Sequence, residues 1–290
     1  MTEKAGALMD LSFSRAWLPC AKNPGLFLIR IAVGRKSTLC DDRDHTTALA
    51  AEVRCLVADY LDDVCFSSDR ALFLDRIERL AALLAFWGSR INLTAAPGDP
   101  HELAFHIIDS LMPVVSADGE EFLRHAFRED SHVLDLGSGA GFPGLVLASA
   151  SPANFTLIES RRKRASFLTV AVAEMGLRNV EVDSRRLRPD PTSLSRSWEA
   201  QAEAGGHFDV VTARAFATAS IFHSVAAATL KPHGVAILYA NPSQDLDLPG
   251  AEKSGLYEFR RLPYRVARGD RVVQRTLALW LRGKGIQPAP

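Results

Sequence analysis

The chain has 290 residues, and its 34 lysines and arginines are balanced by 34 aspartates and glutamates, for a formal net charge of zero. That balance excludes a uniformly cationic coat for nucleic acid but permits a local basic patch. Its apolar share of 47% is that of a protein that folds around a core, and no run approaches the ~20 consecutive apolar residues that span a bilayer.

Residues 1–44 mix Pro19, Pro24, Gly25 and Gly34 with apolar residues that follow no period. A disordered extension is expected there. Glu3 and Asp10 flank no sustained apolar stretch, which argues against a secretory signal and for a cytoplasmic protein. Cys20, Cys40, Cys55 and Cys65 form no C-x-x-C pair. They read as reduced thiols rather than as a metal site.

From 45 to 115 the pattern is helical. Leu49, Val53, Leu56, Val57, Tyr60 and Leu61 recur at i, i+3, i+4 spacing, and a second run carries Leu72, Phe73, Ile77, Leu80, Leu83, Leu84 and Trp87. Asn92-Leu93-Thr94 ends that run, and a third occupies 101–115. Asp59, Asp62, Asp63, Asp69, Asp75 and Glu78 read as the solvated acidic face of this helical layer.

From 131 to 285 short apolar runs alternate with helical ones. Strands are expected at 132–136, 155–159, 180–183, 208–213 and 235–239, with helices at 143–150, 163–175 and 219–229. Two further strands, at 257–262 and 272–281, are expected to close the sheet as an antiparallel hairpin. Alternation of this kind predicts an α/β, doubly wound parallel sheet with helices on both faces. The polar stretch 193–206 reads as a loop insertion.

The run Val133-Leu134-Asp135-Leu136-Gly137-Ser138-Gly139-Ala140-Gly141 ends the first strand in a turn, followed by Phe142-Pro143-Gly144 at a helix start. Glycines admit positive φ and the close approach of a ligand, and ligands of open α/β sheets bind outside the carboxyl ends of the strands. Glu159 ends the second strand at the spacing of a ribose-binding carboxylate. A dinucleotide site shares both devices. The acid at the head of Asp135-Leu136-Gly137-Ser138-Gly139 favours S-adenosylmethionine.

Further segments fall into line with a known family. The segment from Phe86 to Thr94 resembles the W-N-x-x-x-N-L-T of the bacterial small-subunit rRNA guanine-N7 methyltransferases, RsmG or GidB. His106-Ile107-Ile108-Asp109-Ser110-Leu111 resembles their H-x-x-D-S-L. Gly137 to Gly144 resembles G-[ST]-G-[AP]-G-[FL]-P-G, Glu159-Ser160 with Lys163 and Phe167-Leu168 resembles [DE]-S-x-x-[KR]-[KR]-x-x-F-L, and Thr212-Ala213-Arg214-Ala215 resembles [ST]-x-R-A. The order is kept from about Ala81 to Arg282. Two positions depart from the pattern. Ser184-Arg185-Arg186-Leu187 stands for G-R-x-E, and Leu238-Tyr239-Ala240-Asn241 stands for A-L-K-G, so an acid and a lysine are absent.

The resemblance implies a class I methyltransferase fold with an N-terminal helical layer, S-adenosylmethionine as cofactor and 16S rRNA or the small ribosomal subunit as partner, acting as a monomer. It implies that Asp135, Gly137, Ser138, Gly139 and Phe142 serve the cofactor loop, that Glu159 holds the ribose, and that Arg186 and Leu187 flank the adenine. Arg214 lies near the cofactor and the incoming base and is the catalytic candidate. The alternative is a methyltransferase of the same fold acting on a small molecule or a protein. Guanine N7 has a free in-plane lone pair, so no general base is required; His207, His223 and His233 read as surface or loop residues. RNA contact is expected from Arg161, Arg162, Lys163 and Arg164, from Arg185, Arg186 and Arg188, and from the arginine-rich tail beyond Arg260.

Overall fold

The structure, a computed structural model, describes residues 42–64, 66, 68–88, 90–115, 121–185, 206–216, 218–247 and 251–283. Of the span 1–44 read as an extension, only 42–44 is described, and these residues already belong to the first helix. The insertion 193–206 lies outside the described residues but for Gly206.

Three helices come first: α1 (Asp42–Asp62), α2 (Arg70–Gly88) and α3 (Pro100–Val115), followed by the short α4 (Glu121–Ala126). Then come β1 (His132–Leu136), α5 (Gly144–Ala150), β2 (Asn154–Ile158), α6 (Arg162–Glu174), β3 (Val180–Asp183), β4 (Phe208–Arg214), α7 (Ala219–Thr229) and β5 (Leu230–Ala240). A 3-10 turn (Ala251–Ser254) leads into β6 (Leu256–Arg268) and β7 (Arg271–Arg282). Every expected strand is present. The two hairpin strands are longer than their apolar runs suggested, because each is pinned along its length by antiparallel pairing, from Leu256↔Arg282 to Arg268↔Arg271.

One seven-stranded sheet results, in the order β3-β2-β1-β4-β5-β7-β6. The first five strands are mutually parallel, whereas β7 pairs antiparallel with both β5 and β6. Strand alternation sends Val133, Phe155, Val210 and Ile237 to one face and Leu134, Ile158, Val211 and Leu238 to the other. The first face packs in a single core with α1, α2, α3, α5 and α6, and the second is covered by α7 through Phe222, Val225 and Ala226. The helical layer is therefore continuous with the sheet: α3 packs on α5 and β6, and α2 on α5 and α6.

Two sequence expectations need correction. Leu72 is 45% exposed. It precedes the buried Phe73 by one residue, and one step along a helix turns a side chain well away from the stripe at Phe73, Ile77, Leu80 and Leu84. His223 is buried in α7 rather than on the surface, edge-on to Trp280 at 6.1 Å. The chain entering β6 through the 3-10 turn covers that flank of α7, and the Ser254 hydroxyl lies 3.4 Å from His223 Nδ1. Burial pulls the His223 imidazole below its ordinary pKa, so it stays neutral. The acidic face is laced with arginine: Arg54 pairs with Glu78, Arg70 with Asp62 and Arg79 with Asp75.

Candidate cofactor and acceptor site

The loop after β1 is built by backbone geometry. Gly137, Gly139 and Gly141 all take positive φ, at 70°, 56° and 91°. The amides of Gly137 and Ser138 both donate to the carbonyl of Ile158, at 2.8 and 3.0 Å, tying the loop to the end of β2. A Cβ on Gly139 would touch the Gly137 carbonyl oxygen at 3.6 Å and Arg164 Nη1 at 3.7 Å, so it is the φ of 56° rather than crowding that calls for glycine there.

Asp135 lies beneath the loop and is fully buried. One carboxylate oxygen accepts the Gly144 amide at 3.1 Å, at the start of α5, and the other accepts the Thr212 hydroxyl at 3.0 Å from β4. Burial pushes its carboxyl up to about 6, while Ser138, Thr212 and the Gly144 amide pull it back. Asp135 thus joins β1, β4 and α5 under the loop. The last glycine of the Gly-Phe-Pro-Gly run has a steric reason: a Cβ at Gly144 would stand 2.3 Å from Leu157 Cδ2 and 2.6 Å from Asp135 Oδ2.

Glu159, expected as the last residue of the second strand, stands one residue past β2 and is buried. Its Oε2 accepts the Gly139 amide at 3.1 Å and its Oε1 accepts the Arg161 amide at 2.7 Å. Each carboxylate oxygen has a further lone-pair site for a hydroxyl donor. It lines a cleft of about 280 Å³ together with Gly137, Arg161, Arg164, Ala215 and Phe216. Arg164, expected to face RNA, instead grips the Asn92 carbonyl through Nε at 3.1 Å and Nη2 at 2.7 Å. The Asn-Leu-Thr turn thereby supports the rim of the cleft. Arg185 also borders it and is paired with Asp183, its Nε donating at 2.6 Å. Arg186, Leu187 and Arg188 lie outside the described residues.

On the other side of the loop, buried Phe142 meets the ring of His106 at 5.2 Å and carries the Arg214 guanidinium 4.9 Å above its ring centroid. Arg214 ends β4, where Ala215 takes a left-handed φ of 54°. The Nη1 of Arg214 donates to Asp109 Oδ2 at 2.9 Å and to the His106 carbonyl at 3.3 Å. His106 in turn lies 3.2 Å from Glu102 through Nε2. Burial lowers the imidazole pKa, so at neutral pH this is a hydrogen bond from a neutral ring. The His106 bond, joined by Arg268, holds the Glu102 carboxyl down at about 2. Asp109 was quoted in the sequence only within the His106–Leu111 motif and given no role, and Tyr264 and Glu102 were not singled out. That motif was the signal for Asp109, an acid within the apolar face of α3, but Tyr264 had none.

Several arginines of the tail are paired within the chain, although Arg261 and Arg268 stay exposed. Arg261 pairs with Glu258 and Asp247, Arg268 with Glu102, and Arg282 donates to the Leu230 carbonyl. Arg161, Arg162 and Lys163 remain exposed at the start of α6, beside the cleft.

A glycine loop with a ribose acid serves dinucleotide enzymes as well as methyltransferases. What separates the two here is the sheet: an antiparallel β7 inserted between β5 and β6 closes the fold of the class I, S-adenosylmethionine-dependent methyltransferases, and this chain is one of them. The family model GidB, rRNA small subunit methyltransferase G, matches residues 74–257, and the chain belongs to that family. Curated relatives agree. Ribosomal RNA small subunit methyltransferase G of Acidiphilium cryptum is 35% identical over 209 residues, covering 68% of this chain and 82% of the relative. The protein of the same name from Wolinella succinogenes is 37% identical over 167 residues, 57% of this chain and 74% of its own. That of Streptococcus pyogenes serotype M12 is 32% identical over 193 residues, 65% and 75%.

Proposed function

We propose that this protein transfers the methyl group of S-adenosylmethionine to N7 of a guanine in 16S rRNA. The observation that carries the reading is the meeting, on either side of one glycine loop, of Glu159 and the Arg214–Asp109 pair, in a chain of this family.

Held by the glycine loop and Glu159, S-adenosylmethionine would supply an activated methyl on a sulfonium, with a neutral thioether as the leaving group and a cationic base as product. The chain's own residues bind and orient. Glu159 accepts the ribose hydroxyls while its two backbone bonds fix its rotamer. Gly137 and Phe142 border the methionine side. Arg214 recognises the cofactor carboxylate or the O6 edge of the base through its planar fork. The Asp109 carboxylate neutralises that guanidinium, which removes the penalty a bare cation would impose on the cationic product. No side chain needs to take a proton, so orientation and water exclusion supply the catalysis, worth ~7–11 kcal/mol in favourable cases. Exposed Arg161, Arg162 and Lys163 supply phosphate contacts beside the cleft.

The test is transfer of labelled methyl to 16S rRNA lacking its native modifications. Label at one guanine, with strand cleavage there after reduction and aniline, is the expected result. No label, with cofactor affinity intact, would move the acceptor to a small molecule or protein and make the missing lysine at the end of β5 the reason.

A further inference from the structure

The H-x-x-D-S-L segment lies on α3, outside the strands that carry the cofactor loop, yet its aspartate reaches the end of β4. Asp109 is completely buried. Its Oδ2 accepts Arg214 Nη1 at 2.9 Å and its Oδ1 accepts the Tyr264 hydroxyl at 2.7 Å, from β6. Tyr239, on β5, anchors the same turn of α3 by donating to the Ser110 carbonyl at 2.7 Å. Both tyrosines are buried, and burial pushes their hydroxyls well above the ordinary tyrosine range, so they act only as neutral hydrogen-bond partners. Arg275 approaches Asp109 from β7 with Nε at 3.9 Å, too far for a hydrogen bond, and that Nε has no acceptor. The carboxylate is therefore oriented by Tyr264 and turned on Arg214, whose side chain is 12% exposed.

We propose that Asp109, held by the Tyr264 hydroxyl, is the positioning residue that fixes the Arg214 guanidinium over Phe142 at the edge of the cofactor loop. The inference rests on the reading of Arg214 as a residue of the methyl-transfer site. It makes the helical layer a working part of that site. Arginine has many rotamers, and without the carboxylate the guanidinium at the end of β4 would keep only the His106 carbonyl at 3.3 Å and the Phe142 ring to hold it. The tyrosine on Oδ1 fixes the plane of the Asp109 carboxylate and so the direction in which Oδ2 meets Nη1, and this sets where the rest of the planar fork points.

Single-turnover methylation of 16S rRNA is measured for Asp109→Asn and Tyr264→Phe, each in the wild-type and in the Arg214→Ala background, with guanidinium nitrogen NMR of Arg214 on the same proteins. In the wild-type background Asp109→Asn lowers the rate about a hundredfold, the loss attached to a displacement of ~1 Å in a catalytic group. Tyr264→Phe lowers it less. In the Arg214→Ala background neither causes a further loss, because the residue they position is gone. The slow rotation of the Arg214 guanidinium expected in the wild type is lost in Asp109→Asn. Equal losses in both backgrounds would show a merely structural role and overturn the proposal, as would an unchanged rate with unchanged guanidinium rotation. Should Asp109→Asn fail to unfold cooperatively, Tyr264→Phe decides by the same comparison. A wild-type protein that labels no rRNA but shows Asp109-dependent guanidinium rotation would overturn the assigned substrate and leave the clamp standing; an Arg214→Ala variant of wild-type rate would overturn both Arg214 and the clamp.

Discussion

At the scale of single residues, two carboxylates at the ends of neighbouring strands have different tasks. Glu159 faces the cleft and Asp135 faces the interior. Glu159→Ala is expected to weaken S-adenosylmethionine binding by about ten- to a hundredfold, as hydrogen bonds to a charged group contribute ~1.5–3 kcal/mol. Calorimetric titration measures it, and unchanged affinity would remove Glu159 from the ribose. Asp135 calls for a pH experiment. Its folded carboxyl titrates near 6, pushed up by burial from an unfolded value near 3.8. Between those values the folded state holds more protons than the unfolded one, so this group's penalty on stability is largest above pH 6 and fades as the pH falls toward 4. Asp135→Asn removes the penalty. Its stability relative to wild type should be most favourable at pH 8 and decline by something on the order of 2 kcal/mol toward pH 4, followed by urea midpoints. A constant difference across that range would contradict burial as the dominant influence. The sequence showed both acids at once through spacing from the glycines. It did not show their opposite directions, which depend on the packing of β4 against β1.

At the scale of elements, strands were legible because each is a short apolar run between turn residues, and the helix positions followed from the intervening period. The Gly-Phe-Pro-Gly start of α5 was legible as a motif. Its reason is a contact of the helix with two strands: Gly144 leaves room for Leu157 of β2 and for the Asp135 carboxylate of β1, which accepts its amide. Gly144→Ala should cost about 1–3 kcal/mol by overpacking and weaken cofactor binding with it, read from denaturant midpoints and the same titration. Full stability would mean that Leu157 yields freely. Arg164 illustrates the opposite case. In sequence it stands in a basic run that resembles an RNA patch, but the chain folds Asn92 beside it, and a carbonyl in reach takes the guanidinium.

At the scale of the whole molecule, the helical layer and one face of the sheet share one core, running from Leu49 to Leu281. A fragment beginning at residue 121 would uncover the faces of α5, α6 and β6 on which α2 and α3 pack. It is expected to bind hydrophobic dye and to lose cooperative unfolding, because uncovering such a surface forfeits ~25 cal/mol per Å². Cooperative melting of that fragment, without dye binding, would show that the sheet stands alone. Asp109 and Arg214 are brought together by the same packing, so the fragment also loses the clamp on Arg214.

The order of strands and helices, the glycine loop, the acid at Glu159 and the family motifs all lay in the sequence by itself, because each is written in residues close together along the chain. Tertiary structure alone decided which side of the loop each acid faces, that Asp109 of α3 meets Arg214 of β4 and Tyr264 of β6, and which arginines of the tail pair within the chain. The physical reason is range. Periodicity and turn chemistry act over a few residues, whereas a buried ion pair between residues 105 positions apart exists only once the layers that carry them have packed.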